Sequence, residues 1–152
     1  MYKRPSRPFP NNLNYGIIGN CKSSALINED SSIDRSGLPQ FDSPSVFAKI
    51  LDNEKGGNFK IECDESYKIT QKYLNKTAIF LTQFDNGADV FQLLDFMPRF
   101  QKDNGIYYAP PEICRLVKVI KGKPIIVIIR KTYRLFWRNV FYPYSYFLSI
   151  KI

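Results

Sequence analysis

Residues 78–97 read AIFLTQFDNGADVFQLLDFM, and this stretch decides the fold. Two apolar runs, Ala78 to Phe84 and Ala88 to Met97, meet at Asp85-Asn86-Gly87. An Asn-Gly step between apolar runs is a strong hairpin signal, because both residues tolerate positive φ. Pro98 stops the second run, since proline brings no N–H to a strand ladder. Toward the N-terminus, Phe59 to Glu62 alternates apolar and polar, and Tyr67 to Leu74 is rich in strand formers. A turn at Ile18-Gly19-Asn20 precedes the short apolar strand Ala25-Leu26-Ile27, and Asn28 to Ser32 is a polar turn. Toward the C-terminus, residues 99–113 read as a loop with Gly105, Pro110 and Pro111. Cys114 to Ile120 alternates, Lys121-Gly122-Lys123 turns, and Pro124 to Ile129 is an apolar strand. One helix of about two turns is expected after Ser43 and Pro44, with Val46, Phe47, Ile50 and Leu51 on its apolar face. The pattern predicts a mostly β fold, an antiparallel β-sandwich with one short helix and incomplete C-terminal strands.

Composition narrows the chemistry. The chain has 152 residues, suited to one domain, and 44% are hydrophobic. It contains no histidine, which removes His-dependent triads, the usual His-containing zinc sites and an imidazole proton shuttle. Cys21, Cys63 and Cys114 are odd in number and far apart. They suit a reduced, cytoplasmic setting better than a disulfide framework, and read as buried thiols. The opening MYKRPSRPFPNNLN is basic, has no apolar core after it and reads as an extended lead-in over residues 1–13. The 12 uncharged residues Asn139 to Ile150 include Pro143 and fall short of the ~20 that a spanning helix needs.

Few side chains look chemically active. There is no GxGxxG or GxxxxGK[ST] cradle for phosphates, Ser23-Ser24 and Ser31-Ser32 lack a base, and no cofactor or metal is called for. Asp34, Asp42 and Asp95 are the acids of interest. A carboxylate pair could serve acid–base chemistry on a glycoside, but loop carboxylates such as Asp34 and Asp42 more often bond nearby backbone amides. Asp95 reads as a strand-end acid held by a turn or by Arg99.

Charge is distributed unevenly. Residues 1–114 hold 13 Lys+Arg and 14 Asp+Glu, a net of −1, whereas residues 115–152 hold 9 Lys+Arg and no acid. In the same tail, 8 of the 20 residues from Tyr133 to Ile152 are aromatic. Arginines among aromatics can stack bases and bind phosphates, or lie on a membrane surface. No helical stripe crosses Pro143, however, and the charges stop at Arg138 until Lys151, which argues against a nucleic-acid partner.

The run YGIIGNCKSSALINEDSSIDRSGLPQFDSPSVF, residues 15–47, resembles the opening of glycoside hydrolase family 15 proteins, the glucoamylase and trehalase-like enzymes. Tyr15, Gly19, Asn20, Cys21, Ser32, Ile33, Asp34, Pro39, Phe41, Asp42, Ser43 and Pro44 fall in the family's order. Later pieces agree, including Gly56-Gly57, Asp85-Asn86-Gly87, Asp95 to Arg99 and Arg115-Leu116-Val117, so the resemblance covers residues 14–130. It implies a non-catalytic N-terminal β-sandwich whose partner is an α/α toroid carrying the two catalytic glutamates. The family hydrolyses α-glucosidic bonds with inversion, so an α-glucoside would be met only through that toroid. No residue here inherits a catalytic role. The loop expected to face the toroid makes Asp34, Arg35, Gln40, Phe41 and Asp42 the substrate-loop candidates. Arg35 stands where the family has Trp, Gln40 where it has Arg, and Ser31 where Gly is usual, a cost if positive φ is required. Beyond Ile129 the family pattern stops, which suggests a fragment ended by a shifted reading frame, with residues 131–152 as an aberrant tail. The alternatives are a stand-alone carbohydrate-binding or scaffold domain serving a separate toroid subunit, and a basic binder of nucleic acid or membrane surfaces acting through that tail.

Overall fold

The structure, a computed structural model, describes residues 14–132, 136–141 and 146–151, so the 1–13 lead-in lies outside the described residues. The strands are β1 Gly16–Gly19, β2 Ser24–Ile27, β3 Ile33–Gly37, β4 Ser45–Ala48, β5 Asn58–Glu62, β6 Lys68–Tyr73 and β7 Phe80–Asp85. They continue with β8 Val90–Phe96, β9 Phe100–Gln101, β10 Tyr107–Tyr108, β11 Glu112–Lys121, β12 Ile126–Lys131, β13 Phe136–Phe141 and β14 Tyr146–Lys151. The larger sheet runs β1-β2-β3-β5-β12-β13, with β4 also on β3, and the smaller runs β14-β11-β8-β7-β6. Every pairing is antiparallel, and β9 and β10 form a separate ribbon. One apolar core lies between the two sheets. It takes Ile18, Ile27, Ile33, Phe59, Ile61 and Ile128 from one sheet, and Phe84, Phe91, Leu93, Ile113 and Val117 from the other.

The expected hairpin forms around Asn86-Gly87, with Asp85 opposite Val90 and Phe84 opposite Phe91. The two rings stack at 4.5 Å between centroids. Asn86 Oδ1 accepts from the N–H groups of Ala88 and Asp89, and Gly87 takes φ +86°.

The expected helix after Ser43 does not form, and among the described residues no helix forms at all. Residues 45–48 are β4, with Ala48 opposite Arg35 and Phe47 opposite Ser36. An apolar face at helical spacing loses here to burial of Phe47 in the sheet core and to the ladder β3 offers. Only a tight turn over residues 48–52 remains, where the Leu51 and Asp52 N–H groups bond the Ala48 carbonyl. The loop expected over residues 99–113 carries β9 and β10. In the stretch where acids vanish, β13 pairs β12 and β14 pairs β11, so each sheet gains an edge strand.

A buried ion pair lies within the smaller sheet, and its arginine also ties that sheet to the larger one. Phe91, Leu93 and Asp95 share the inward face of β8, and Ile113, Arg115 and Val117 that of β11. Register sets Arg115 opposite Asp95. Arg115 Nε and Nη2 donate to the two Asp95 carboxylate oxygens at 2.7 and 3.0 Å. Arg115 Nη1 and Nη2 also reach across to the carbonyls of Phe59 and Ser31, and the guanidinium lies 4.8 Å from the Phe59 ring. Asp95 stands near the end of β8 as its sequence context suggested, but it is held by Arg115 and not by a turn or by Arg99. Full burial pushes the Asp95 carboxyl up, and the guanidinium beside it pulls the other way.

Ser31 adopts φ +63°, the conformation in which its carbonyl accepts from Arg115. Its Oγ is buried and, among the described residues, without a hydrogen-bond partner. The cost expected at Ser31 if positive φ is required therefore applies. Ser31→Gly should stabilise the domain by about 1 kcal/mol in chemical denaturation, because it removes left-handed strain and an unsatisfied hydroxyl together. Arg115→Met should cost about 3–5 kcal/mol by leaving Asp95 charged and buried. The double variant Arg115→Met/Asp95→Leu should lose less than Arg115→Met alone, and a denaturation cycle on the four proteins checks that order.

Candidate functional site

Three loops converge at one end of the sandwich. They are the β1–β2 turn at residues 20–23, the β3–β4 loop at 38–44, and the excursion at 97–111 that carries β9 and β10. Asn20 joins two of them. Its Oδ1 accepts from the Lys22 and Ser23 N–H groups at 3.1 and 3.0 Å, which closes the β1–β2 turn. Its Nδ2 donates to the Pro110 carbonyl at 2.9 Å. The third loop is held by the Phe41 N–H on the Lys22 carbonyl at 3.0 Å and by the Ser23 hydroxyl on the Gly37 carbonyl. Within it, Gln40 N–H donates to Ser43 Oγ and Ser43 N–H to the Gln40 carbonyl, so Ser43 closes a loop turn instead of capping a helix.

Gln40, Phe41 and Asp42 come together with Cys21 and Lys22 around an open depression of about 340 Å³. Phe41 is 59% exposed. Cys21 takes φ +70° and is exposed, contrary to the expectation of a buried thiol, and Arg99 Nη1 donates to its Sγ at 3.3 Å. Cys114 is buried as expected, and no disulfide joins the three cysteines.

The other two candidates lie elsewhere. Asp34 is 4% exposed on β3. Its Oδ1 accepts from the Ser32 hydroxyl at 2.6 Å, and its Oδ2 from Asn28 Nδ2 at 2.9 Å and from the Tyr15 hydroxyl at 3.4 Å. Asn58 Nδ2 donates to the same Ser32 hydroxyl, and Gln71 Nε2 to the Asn28 carbonyl. Asp34 thus organises a buried polar network that fixes the β2–β3 turn. Its partners are side chains, not the backbone amides its loop setting suggested. Burial pushes the Tyr15 hydroxyl up, and the Asp34 charge adds to it. Arg35, the next residue, points the other way along the strand and donates to Ser45 Oγ at 2.9 Å at the base of the loop.

The arrangement can hydrogen-bond and stack through a lysine, an amide, a carboxylate, a thiol and a phenyl ring. Asp42 and Asp34 do not share a site, so they do not form the carboxylate pair that acid–base hydrolysis needs. Sequence reasoning gave no role to Lys22 or Tyr107, and gave Arg99 only that of holding Asp95. Their signal lay inside the matched run: Asn20-Cys21 sits in a turn, and Tyr107-Tyr108 in a loop bounded by Gly105 and Pro110.

A second cavity of about 560 Å³ opens at the opposite end, lined by Glu62, Cys63, Tyr67, Asn86, Asp89 and Lys123 among others. Its polar groups mostly close turns. Asp89 accepts from Lys123 N–H at 2.8 Å and from the Tyr67 hydroxyl at 3.3 Å.

These observations define an antiparallel two-sheet β domain with one open end built from loops. Residues 12–130 match the trehalase-like N-terminal domain family, and the chain belongs to it. It is 42% identical over 86 residues to trehalase 2 of Sulfolobus acidocaldarius, which covers 57% of this chain and 14% of that protein. It is 33% identical over 124 residues to a trehalase of Thermoplasma volcanium, covering 80% of this chain and 19% of that protein. A trehalase of Mycolicibacterium smegmatis is 41% identical over 76 residues, 49% of this chain and 11% of that protein. The chain therefore spans less than a fifth of the length of these relatives. No solved structure matches it.

The second cavity yields a pH test. Burial, and then the Asp89 charge and hydrogen bond, push the Tyr67 hydroxyl up to about 12. The folded state thus holds this proton more tightly than the unfolded chain, whose tyrosines titrate near 10. The contribution to stability is complete below pH 10 and is lost as pH rises toward 12. Ultraviolet titration should show one tyrosine ionising near pH 12, and Tyr67→Phe should remove that step.

Proposed function

We propose that the chain is the non-catalytic N-terminal part of a trehalase-type glycoside hydrolase, with its loop end turned toward a catalytic α/α toroid. The observation that carries this is the family match over residues 12–130, on a body shorter than a fifth of the relatives named trehalases. Inverting hydrolysis needs one carboxylic acid to protonate the leaving oxygen and a second carboxylate to activate water, set roughly 6.5–9.5 Å apart. Asp34 is committed to its buried network and Asp42 lies at the open end, so both catalytic groups must come from the toroid. The role of Gln40, Phe41 and Asp42 is to border the α-glucoside at the rim of that partner's cleft. Phe41 supplies an exposed ring, and Gln40 and Asp42 supply polar groups beside Lys22. Asp34 and Arg35 support the loop from the strand beneath it. The setting is cytoplasmic, which the three cysteines without a disulfide favour.

The purified chain should release no glucose from trehalose or maltose, and measurable release would remove the proposal. When the part of the Thermoplasma volcanium trehalase beyond the matched domain is co-expressed with this chain, trehalase activity should be recovered. In that complex Phe41→Ala should raise KM for trehalose about threefold to tenfold, with kcat changed less than about twofold, as expected for loss of uniform binding. An unchanged KM would show that the loop does not meet the substrate.

A further inference from the structure

We infer that the β7–β8 turn is a self-modifying site, at which the Gly87 nitrogen attacks the side chain of Asn86 and converts that residue to aspartate and isoaspartate. The inference stands apart from the proposed function and uses none of its residues.

The chemistry is an intramolecular acyl transfer. The Gly87 backbone nitrogen adds to Cγ, the carbonyl carbon of the Asn86 side chain, and its proton passes to a base. The Cγ–Nδ2 bond then breaks, and Nδ2 leaves as ammonia after taking up that proton. The product is a succinimide ring. Water opens the ring at either carbonyl, so the net change is ammonia out and water in. The reaction is fastest where the nucleophile is uncrowded, a base holds its proton, and donors meet the oxygen on which charge develops.

The turn supplies all three. The Gly87 N–H donates to Asp85 Oδ1 at 2.8 Å, so a carboxylate already holds the proton that must leave. Asn86 Oδ1 accepts from the Ala88 N–H at 3.1 Å and the Asp89 N–H at 2.7 Å, and these two groups form an oxyanion hole. Among the described residues, no atom lies within 4 Å of where a Cβ on Gly87 would stand. Lys121 Nζ on the Gly87 carbonyl at 2.6 Å and the Asn86 N–H on the Asp89 carbonyl at 3.2 Å hold the reacting groups in place. The leaving nitrogen, Asn86 Nδ2, makes a long bond of 3.4 Å to Ser66 Oγ. Asn86 also borders the open cavity of about 560 Å³, through which water reaches the ring.

The chain contains its own control. Asp103-Asn104-Gly105 repeats the tripeptide Asp85-Asn86-Gly87, so the covalent chemistry at the two sites is the same. The settings differ. The Gly105 N–H donates to the Lys102 carbonyl at 2.8 Å, a far weaker base than a carboxylate. Among the described residues one N–H, that of Ile106, donates to Asn104 Oδ1, at 3.1 Å. Asn104 is exposed and Asn86 half-buried, so exposure alone favours Asn104, whereas hydrogen bonding favours Asn86. Conversion at position 86 places a new carboxylate between Asp85 and Asp89. Isoaspartate also lengthens the main chain by a methylene, in the turn that sets Asp85 opposite Val90.

The test incubates the full chain at neutral pH, native and in denaturing urea, and follows both sites by peptide mapping and isoaspartyl methylation. In the native chain Asn86 should convert at least about tenfold faster than Asn104, and in urea the two rates should agree within about twofold. Asp85→Asn keeps an acceptor for the Gly87 N–H but removes the base, so it should slow conversion at position 86 about tenfold and leave Asn104 unchanged. An unfolding midpoint close to wild type would show that this variant folds, and if it does not fold the wild-type comparison decides alone. Native conversion of Asn104 as fast as that of Asn86, or an advantage for Asn86 that survives urea, overturns the inference. An unchanged rate at position 86 in folded Asp85→Asn overturns it as well.

Discussion

The Arg115 guanidinium is the group on which the rest of the structure depends. Arginine has five N–H donors in a planar fork, and here they make four hydrogen bonds across three separate pieces of chain. Two bonds hold Asp95 on the neighbouring strand of the same sheet, one reaches β5 of the facing sheet, and one reaches the β2–β3 turn. A buried ion pair is weak evidence of net stabilisation, because desolvating two charges costs about what their attraction returns. Its stronger consequence is geometric. Slipping β8 on β11 by one residue would turn one of the two charges to the opposite face and leave the other unpaired in the core. The pair therefore excludes wrong registers more severely than it favours the right one.

The same guanidinium explains a local conflict in the sequence. Ser31, whose carbonyl accepts from Arg115, holds positive φ, which glycine would accept without cost. Serine accepts it at the expense of backbone strain and a stranded hydroxyl. The turn persists because Asn28 closes it from within. Asn28 Oδ1 accepts from the N–H groups of Asp30 and Ser32, while Nδ2 donates to Asp34. Asp34, at first sight a loop carboxylate open to chemistry, is committed to this network. The loop that follows can reach solvent because the strand beneath it is held at both ends.

Much of the sheet structure was legible in residue alternation. The Asn86-Gly87 hairpin, the strand from Ala25 to Ile27 and the alternation from Cys114 onward all appear where period-two patterning and turn residues put them. The helix after Ser43 was misread because Val46, Phe47, Ile50 and Leu51 satisfy a helical period as well as a short strand and turn, and only the pairing partner β3 decides between them. Asp95 was misread for a different reason. It stands in phase with Phe91 and Leu93, and Arg115 in phase with Ile113 and Val117, so two opposite charges at core positions of neighbouring strands were already written in the sequence. Seeing them as a pair requires the register, which local pattern does not supply. The site was legible only in part: Gln40, Phe41 and Asp42 adjoin along the chain, whereas Cys21, Lys22 and Arg99 join them through contacts between distant loops.

The basic C-terminal quarter takes on a narrower meaning in the same terms. Its first cation is Arg115, which Asp95 neutralises inside the core, so the excess of positive charge begins after it. That excess follows the flank where β12 pairs β13 and β11 pairs β14. An exposed strand edge invites pairing with another chain, and charged residues, lysine especially, are a common defence. Arg130 and Lys131 are not such a guard: β12 lies between β5 and β13, the Arg130 Nε is buried, and Lys131 Nζ donates to the Glu54 carbonyl. The uneven charge that first suggested an acidic partner for the whole chain thus begins with a cation neutralised inside the core and continues on strands that lie within the two sheets.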